Sequence, residues 1–184
     1  MTAIRMILFM TALCGLVYPL VMTGAARLLF PAEADGSRLI GGGRVTGSEL
    51  IGRQFDDPRS FWSRPSATGP VPYNAAASSG SNYGPLNPNL RKRVEERRDA
   101  LRAADPGNSA PVPIDLLTAS GSGLDPHISP EAAEFQVGRV ARLRDLDPDK
   151  VRELVRRHST PRQFGILGQP VVNVLLLNQD LDRR

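Results

Sequence analysis

Residues 6–26, MILFMTALCGLVYPLVMTGAA, contain no charged side chain and lie between Arg5 and Arg27. A helix over this stretch is roughly 30 Å long, the thickness of the hydrocarbon core of a bilayer. Apolar character continues through Leu28, Leu29 and Phe30 and stops at Pro31, Glu33 and Asp35. Gly15, Pro19 and Gly24 would weaken a helix in water, but a spanning helix tolerates them where neighbouring helices satisfy the freed backbone. The run is long for the core of a signal peptide. It also passes the small residues Thr23-Gly24-Ala25-Ala26 that could offer a cleavage site, so a retained anchor is expected. Leu13 stands where a lipid-attachment site at Cys14 would need a small residue. Arg5 and the terminal amine favour a cytoplasmic N-terminus, although Arg27 at the other end leaves only a slight charge bias. The expected layout is a tail over 1–5, an anchor over 6–30, a linker over 31–43 and a soluble domain over 44–184 outside the cytoplasm.

About 150 residues follow the anchor, enough for one domain with its own core. Aromatic residues make up 5% of the chain, so that core is aliphatic. Cys14 is the single cysteine, which excludes a disulfide within the chain. The net charge of +4 comes from arginine, with Lys92 and Lys150 the two lysines. These arginines alternate with acids on helix-like stretches and have no interleaved aromatics for stacking bases. They read as solvated helix surfaces, not as a nucleic-acid interface.

Along the chain, residues 31–43 are a glycine-rich exit segment, and 45–55 suggest a strand or turn followed by a short helix. Residues 61–65 suit a short edge strand ending at Pro65. Residues 70–88 have the Gly, Asn, Ser and Pro of a long loop, with Tyr73, Asn74, Asn82 and Tyr83 suited to an ordered partner-contact surface. Asn87-Pro88, Ser129-Pro130 and Asp147-Pro148 each pair an N-cap with a proline at the first helical position, predicting three helices. Val112–Thr118 and Val171–Leu177 read as strands. The fold expected is α+β, with helices over a small sheet.

Few motifs could carry chemistry. Ser120-Gly121-Ser122-Gly123 lacks the glycine two positions before serine that a nucleophile elbow needs. It also lacks the lysine of a phosphate-binding P-loop. What survives is a backbone nest for an anion or a partner's carbonyls, or a plain turn. His127 and His158 are the two histidines and form no metal-ligand spacing. Asp125 beside His127 is a dyad or an ordinary turn. An anchored serine hydrolase using Ser120 or Ser122 with His127 is a distant alternative, and its spacing fails.

Several long motifs in order resemble the KdpC family, the C subunit of bacterial high-affinity potassium-transporting ATPases. They are Tyr18-Pro19, Gly47-Ser48-Glu49-Leu50-Ile51-Gly52, Phe61-Trp62-Ser63-Arg64-Pro65 and Tyr73-Asn74 with Ser79-Gly80-Ser81-Asn82-Tyr83-Gly84-Pro85. They continue with Asp115 to Pro130, Gln136 with Arg139-Val140-Ala141, and Gly168-Gln169-Pro170-Val171-Val172-Asn173 to Asn178. Arg53 departs from the glutamine frequent in the family. The resemblance implies three partners: a channel-like KdpA subunit, a P-type ATPase subunit KdpB and a small membrane peptide KdpF. It implies a non-catalytic accessory role in the bacterial inner membrane, with no covalently bound cofactor and with ATP reached through the complex. The family is described as a catalytic chaperone that raises the ATP affinity of the pump subunit, for which Ser120, Gly121, Ser122, Gly123 and Gln136 are the candidate nucleotide contacts. The alternative is an extracytoplasmic scaffold or cover over the ion entrance. The chain itself has no Asp-Lys-Thr-Gly-Thr phosphorylation motif.

Overall fold

A computed structural model describes residues 1–183, in two compact units that divide between Ser48 and Glu49. In the first, α1 (Thr2–Ala12) runs through one wide π turn at Leu13–Val17 into α2 (Tyr18–Leu29). Pro19 has no N–H for the Gly15 carbonyl and its ring crowds that oxygen; the wide turn just before it relieves both. The continuous helix Thr2–Leu29 is long and apolar enough to cross a membrane.

Residues 31–43 hold more structure than a linker. They form the single turn α3 (Pro31–Ala34) and then β1 (Arg38–Gly41), which pairs antiparallel with β2 (Arg44–Ser48). Gly42 and Gly43 connect the strands with φ of +59° and +77°. Such a two-residue turn matches the twist of a hairpin and needs positive φ at both positions. The short helix expected before Phe55 does not form.

The second unit, from Glu49 onward, is α+β as expected. The three capped helices are present: α4 (Pro88–Ala104), α6 (Pro130–Arg144) and α7 (Pro148–Arg157). Asn87, Ser129 and Asp147 each accept a hydrogen bond from the first turn that follows. Two strand expectations are corrected. Residues 112–118 form the single helical turn α5 (Ile114–Leu117), because Pro111 and Pro113 remove ladder donors and Leu116 and Leu117 pack from a turn. Residues 171–177 begin as a strand, β5 (Val171–Asn173), but Asn173 accepts from the Leu176 amide and starts α8 (Val174–Leu181). A β5 flanked by β3 (His127–Ile128) and β4 (Ser159–Thr160) makes a three-stranded antiparallel sheet in the order β3-β5-β4.

The core is aliphatic apart from Phe61 and Trp62. Ala133, Val137, Val140 and Ala141 of α6 meet Val151 and Leu154 of α7, Val172 of β5, and Val174, Leu177 and Leu181 of α8. Residues 61–65 form no strand and pair with none among the described residues. Side-chain amides replace the missing neighbour. Asn178 accepts from the Phe61 amide and donates to its carbonyl, both at 2.9 Å, and Gln136 accepts from the Trp62 amide at 2.7 Å and donates to its carbonyl at 3.1 Å. Buried backbone polar groups need partners, and two buried amides supply them here.

Candidate functional site

Three segments far apart in sequence, residues 61–68, 70–85 and 119–127, interlock in the second unit. Short polar side chains do the joining, as they do in turns generally. Ser66 Oγ donates to the Gly123 carbonyl at 2.7 Å and accepts from the Tyr73 amide at 2.9 Å. Thr68 Oγ1 donates to the Val71 carbonyl at 2.8 Å and accepts from the Asn74 amide at 3.0 Å. The Ser122 carbonyl accepts from the Ser79 amide and the Ser78 hydroxyl, both at 3.0 Å. Glycine is required where the segments touch. Gly123 has φ +68°, and a Cβ there would lie 2.5 Å from Thr68 Cγ2 and 2.7 Å from the Ser79 carbonyl oxygen. At Gly52 a Cβ would reach 2.4 Å from the Tyr73 ring.

Tyr73 and Asn74 are therefore largely spent inside the protein. The Tyr73 hydroxyl donates to the Arg64 carbonyl at 2.6 Å, and burial pushes its pKa up. Asn74 donates to the Gly69 carbonyl and caps the short 3-10 turn Ala75–Ala77. Asn82 is exposed with φ +51°, and Tyr83 accepts from Arg93 Nε at 3.1 Å, with that guanidinium 5.8 Å from its ring centroid. Tyr83 borders a largely apolar groove of about 280 Å³ between α4 and the loops, floored by Pro65, Leu90, Val94 and Leu117.

The Ser120–Gly123 turn faces the same interlock. Ser120 is buried; its amide donates to the Pro65 carbonyl and its hydroxyl accepts from Gly123 N at 2.9 Å. Ser122 Oγ accepts from Leu124 N at 3.1 Å, and Gly121 is exposed. Three of the amides that an anion nest would offer, those of Ser120, Gly123 and Leu124, are thus directed at the protein itself. Gln136 is not brought to this turn. It lies in the core, 1% exposed, and accepts from both Trp62 N and Arg139 Nη2.

Neither Ser120 nor Ser122 bonds His127, so the triad geometry that a serine hydrolase needs is not formed. His127 pairs with Asp125 instead. Asp125 Oδ1 accepts from the His127 amide at 3.0 Å and lies 3.4 Å from Nδ1, while Oδ2 meets Arg64 Nη1 at 3.2 Å. Burial works to raise the Asp125 pKa, but the His127 hydrogen bonds and the Arg64 charge together hold it below the ordinary carboxylate value. This cluster lines a cavity of about 620 Å³ with Asp115, Glu131 and Gln169. Arg64 Nε is buried there without a hydrogen-bond partner. No group of three or more metal-ligating side chains is assembled among the described residues.

Reading the sequence for sites missed Arg139. It is 2% exposed, yet carries a guanidinium that donates to the Pro58 and Ser60 carbonyls and to Gln136, 4.9 Å from the Trp62 ring centroid. Arg97 lies 5.0 Å from the same centroid and donates to the Ser63 carbonyl. Burial pushes the Arg139 pKa down to about 10 and lowers that of Arg97. An arginine three residues after a glutamine on the apolar face of a helix was the available signal.

A helix long and apolar enough to cross a membrane, followed by a small α+β unit whose polar loop residues turn inward, is the layout of a single-pass subunit of a membrane transport system. The family model described as KdpC, K+-transporting ATPase, c chain, matches residues 1–183. A potassium-transporting ATPase KdpC subunit of Variovorax paradoxus is 58% identical over 180 residues, covering 98% of this chain and 93% of that protein. The Methylococcus capsulatus KdpC subunit is 59% identical over 180 residues, covering 98% and 95%, and that of Sorangium cellulosum gives the same figures. The chain belongs to the KdpC family and is an accessory subunit of a potassium pump.

Proposed function

We propose that this chain supports assembly of a potassium-importing P-type ATPase and raises the ATP affinity of its pump subunit without itself contacting nucleotide. KdpA-like, KdpB-like and KdpF-like subunits are its partners, and the domain works outside the cytoplasm as a scaffold near the ion entrance. The observation that carries this reading is the inward commitment of the five candidate nucleotide contacts. The hydroxyls of Ser120 and Ser122 bind their own turn, Gly123 is wedged against Thr68 and Ser79, and Gln136 is buried beneath Trp62. Gly121 and Ser122 stay exposed, and of these Gly121 has no side chain while the Ser122 hydroxyl already accepts from Leu124 N. ATP affinity then changes through contacts between subunits, as a coupling free energy.

The test is to purify the pump with and without this chain and measure potassium-stimulated ATP hydrolysis against ATP concentration. The reading expects a lost or unstable complex, or a raised KM for ATP, when the chain is missing. Unchanged hydrolysis with an unchanged KM would overturn it. ATP binding to the purified full chain at millimolar concentration would overturn the indirect part alone.

A further inference from the structure

The connection between β4 and β5 is exposed at every residue from Pro161 to Pro170. It is nevertheless not a loose loop. Gln163 and Leu167 bridge antiparallel, each amide donating to the other's carbonyl at 2.9 Å. Gly165 N donates to the Arg162 carbonyl and Ile166 N to that of Gln163, while Arg162 Nη1 donates to Gly168 O at 2.7 Å. The result is a hydrogen-bonded finger that continues the β4–β5 hairpin beyond the sheet.

Its tip is Phe164-Gly165-Ile166-Leu167, with these three apolar side chains 90%, 76% and 53% exposed. Phe164 is held at φ +54°, a left-handed conformation that costs about 1 kcal/mol or more for a residue with a Cβ. An isolated two-stranded ribbon is marginal in water, and three large apolar side chains at one tip gain nothing from solvent. Neither core packing nor the loop interlock uses them. The shape is that of a pre-organised anchor, in which ordering is complete before contact.

Lipid and protein are the two surfaces such a tip could meet. Segments that settle in a bilayer interface carry several lysines or arginines, with tryptophan or tyrosine at headgroup level. Residues 161–170 have one cation, Arg162, already bonded to Gly168, and neither tryptophan nor tyrosine. A fixed hydrogen-bonded geometry matters for a socket of defined shape and is not needed for lipid. The segment also has no acid, so it fits a rim that is neutral or acidic.

We infer that the finger 161–170 is a docking knob whose Phe164, Ile166 and Leu167 enter an apolar socket with a neutral or acidic rim on another protein subunit of the pump. The inference rests on the chain's reading as a pump subunit.

The experiment uses the complete complex. A photo-crosslinking phenylalanine analogue replaces Phe164, and the complex is irradiated in the native membrane and again after purification. A covalent adduct to another pump subunit is the expected result. Adducts to lipid alone, or none, would overturn the knob. The double variant Phe164→Ala/Ile166→Ala is expected to weaken retention of the chain in the complex by about 10- to 100-fold. Unchanged retention would also overturn the knob. The two readings separate through the unmodified chain: if it co-purifies with the pump while the adduct fails, the finger alone is wrong. If it does not co-purify, the pump reading falls and the knob with it.

Discussion

The interlocked loops and the β4–β5 finger have similar compositions and opposite fates. Both are rich in glycine and proline and lie outside the helices. In the interlock, Ser66, Thr68, Tyr73, Asn74 and Ser120 have each found a partner inside the protein. In the finger the backbone is satisfied but the apolar side chains are not buried at all. A satisfied polar group adds about a kcal/mol to the fold it belongs to. An exposed apolar side chain adds nothing until something covers it. Loop composition therefore says little about role; what separates structure from docking is whether the side chains are already used.

Mutations should divide along that line. The largest effect is expected at the pin beneath the interlock: Arg139→Ala removes the donors of Pro58, Ser60 and Gln136 from a buried site and should cost roughly 3–5 kcal/mol. Urea unfolding of the full chain in detergent would measure it, and a loss below 1 kcal/mol would mean that the pin does not hold the 58–62 segment. Gly123→Ala comes next, at about 2–3 kcal/mol, since the new methyl meets Thr68 and the Ser79 carbonyl at a left-handed residue. A neutral result by the same assay would show that the segments can part without cost.

Asp125 offers a smaller and pH-dependent effect. Its folded pKa is depressed, so its contribution is present above the unfolded value, about 3.9, and is lost as pH falls through the folded value. Asp125→Asn should lower stability at neutral pH and flatten the decline of stability as pH falls below the ordinary carboxylate range. An unchanged acid limb in the variant's unfolding curves would contradict the pairing with Arg64 and His127. The smallest effect belongs to the finger: Phe164→Ala should change unfolding stability by no more than about 0.5 kcal/mol, as an exposed side chain does. A loss of 2 kcal/mol would place Phe164 in the fold and blur the contrast.

Much of the architecture was legible because its signals are local. The uncharged run 6–26 and the Asn87, Ser129 and Asp147 caps depend on neighbours within four residues. The misread elements depend on context. At 171–177 the branched residues fit either state, and Asn173 decided for a helix by capping it. Residues 61–65 form no strand, and Gln136 and Asn178, 74 and 117 residues from Trp62 and Phe61, supply the hydrogen bonds instead. Gln136, a candidate nucleotide contact in the sequence, has its amide paired with the Trp62 backbone, a long-range pairing that no local pattern announces. Tyr73 and Asn74 have a composition that suits a contact surface and an internal turn alike, and their hydrogen bonds within the turn depend on residues the local pattern does not single out. Thr160–Pro170 reads as a turn in the sequence and is one, but nothing in Phe164-Gly165-Ile166-Leu167 tells that its apolar side chains stay exposed.

We propose that this accessory domain, carried on a single span, acts from outside the cytoplasm. Ser109 is exposed in the loop after α4. With Ser109→Cys in a Cys14→Ala background, intact cells treated with a membrane-impermeant maleimide test sidedness directly. Labelling before lysis is the expected result. Labelling only after permeabilisation would put the domain in the cytoplasm and contradict it.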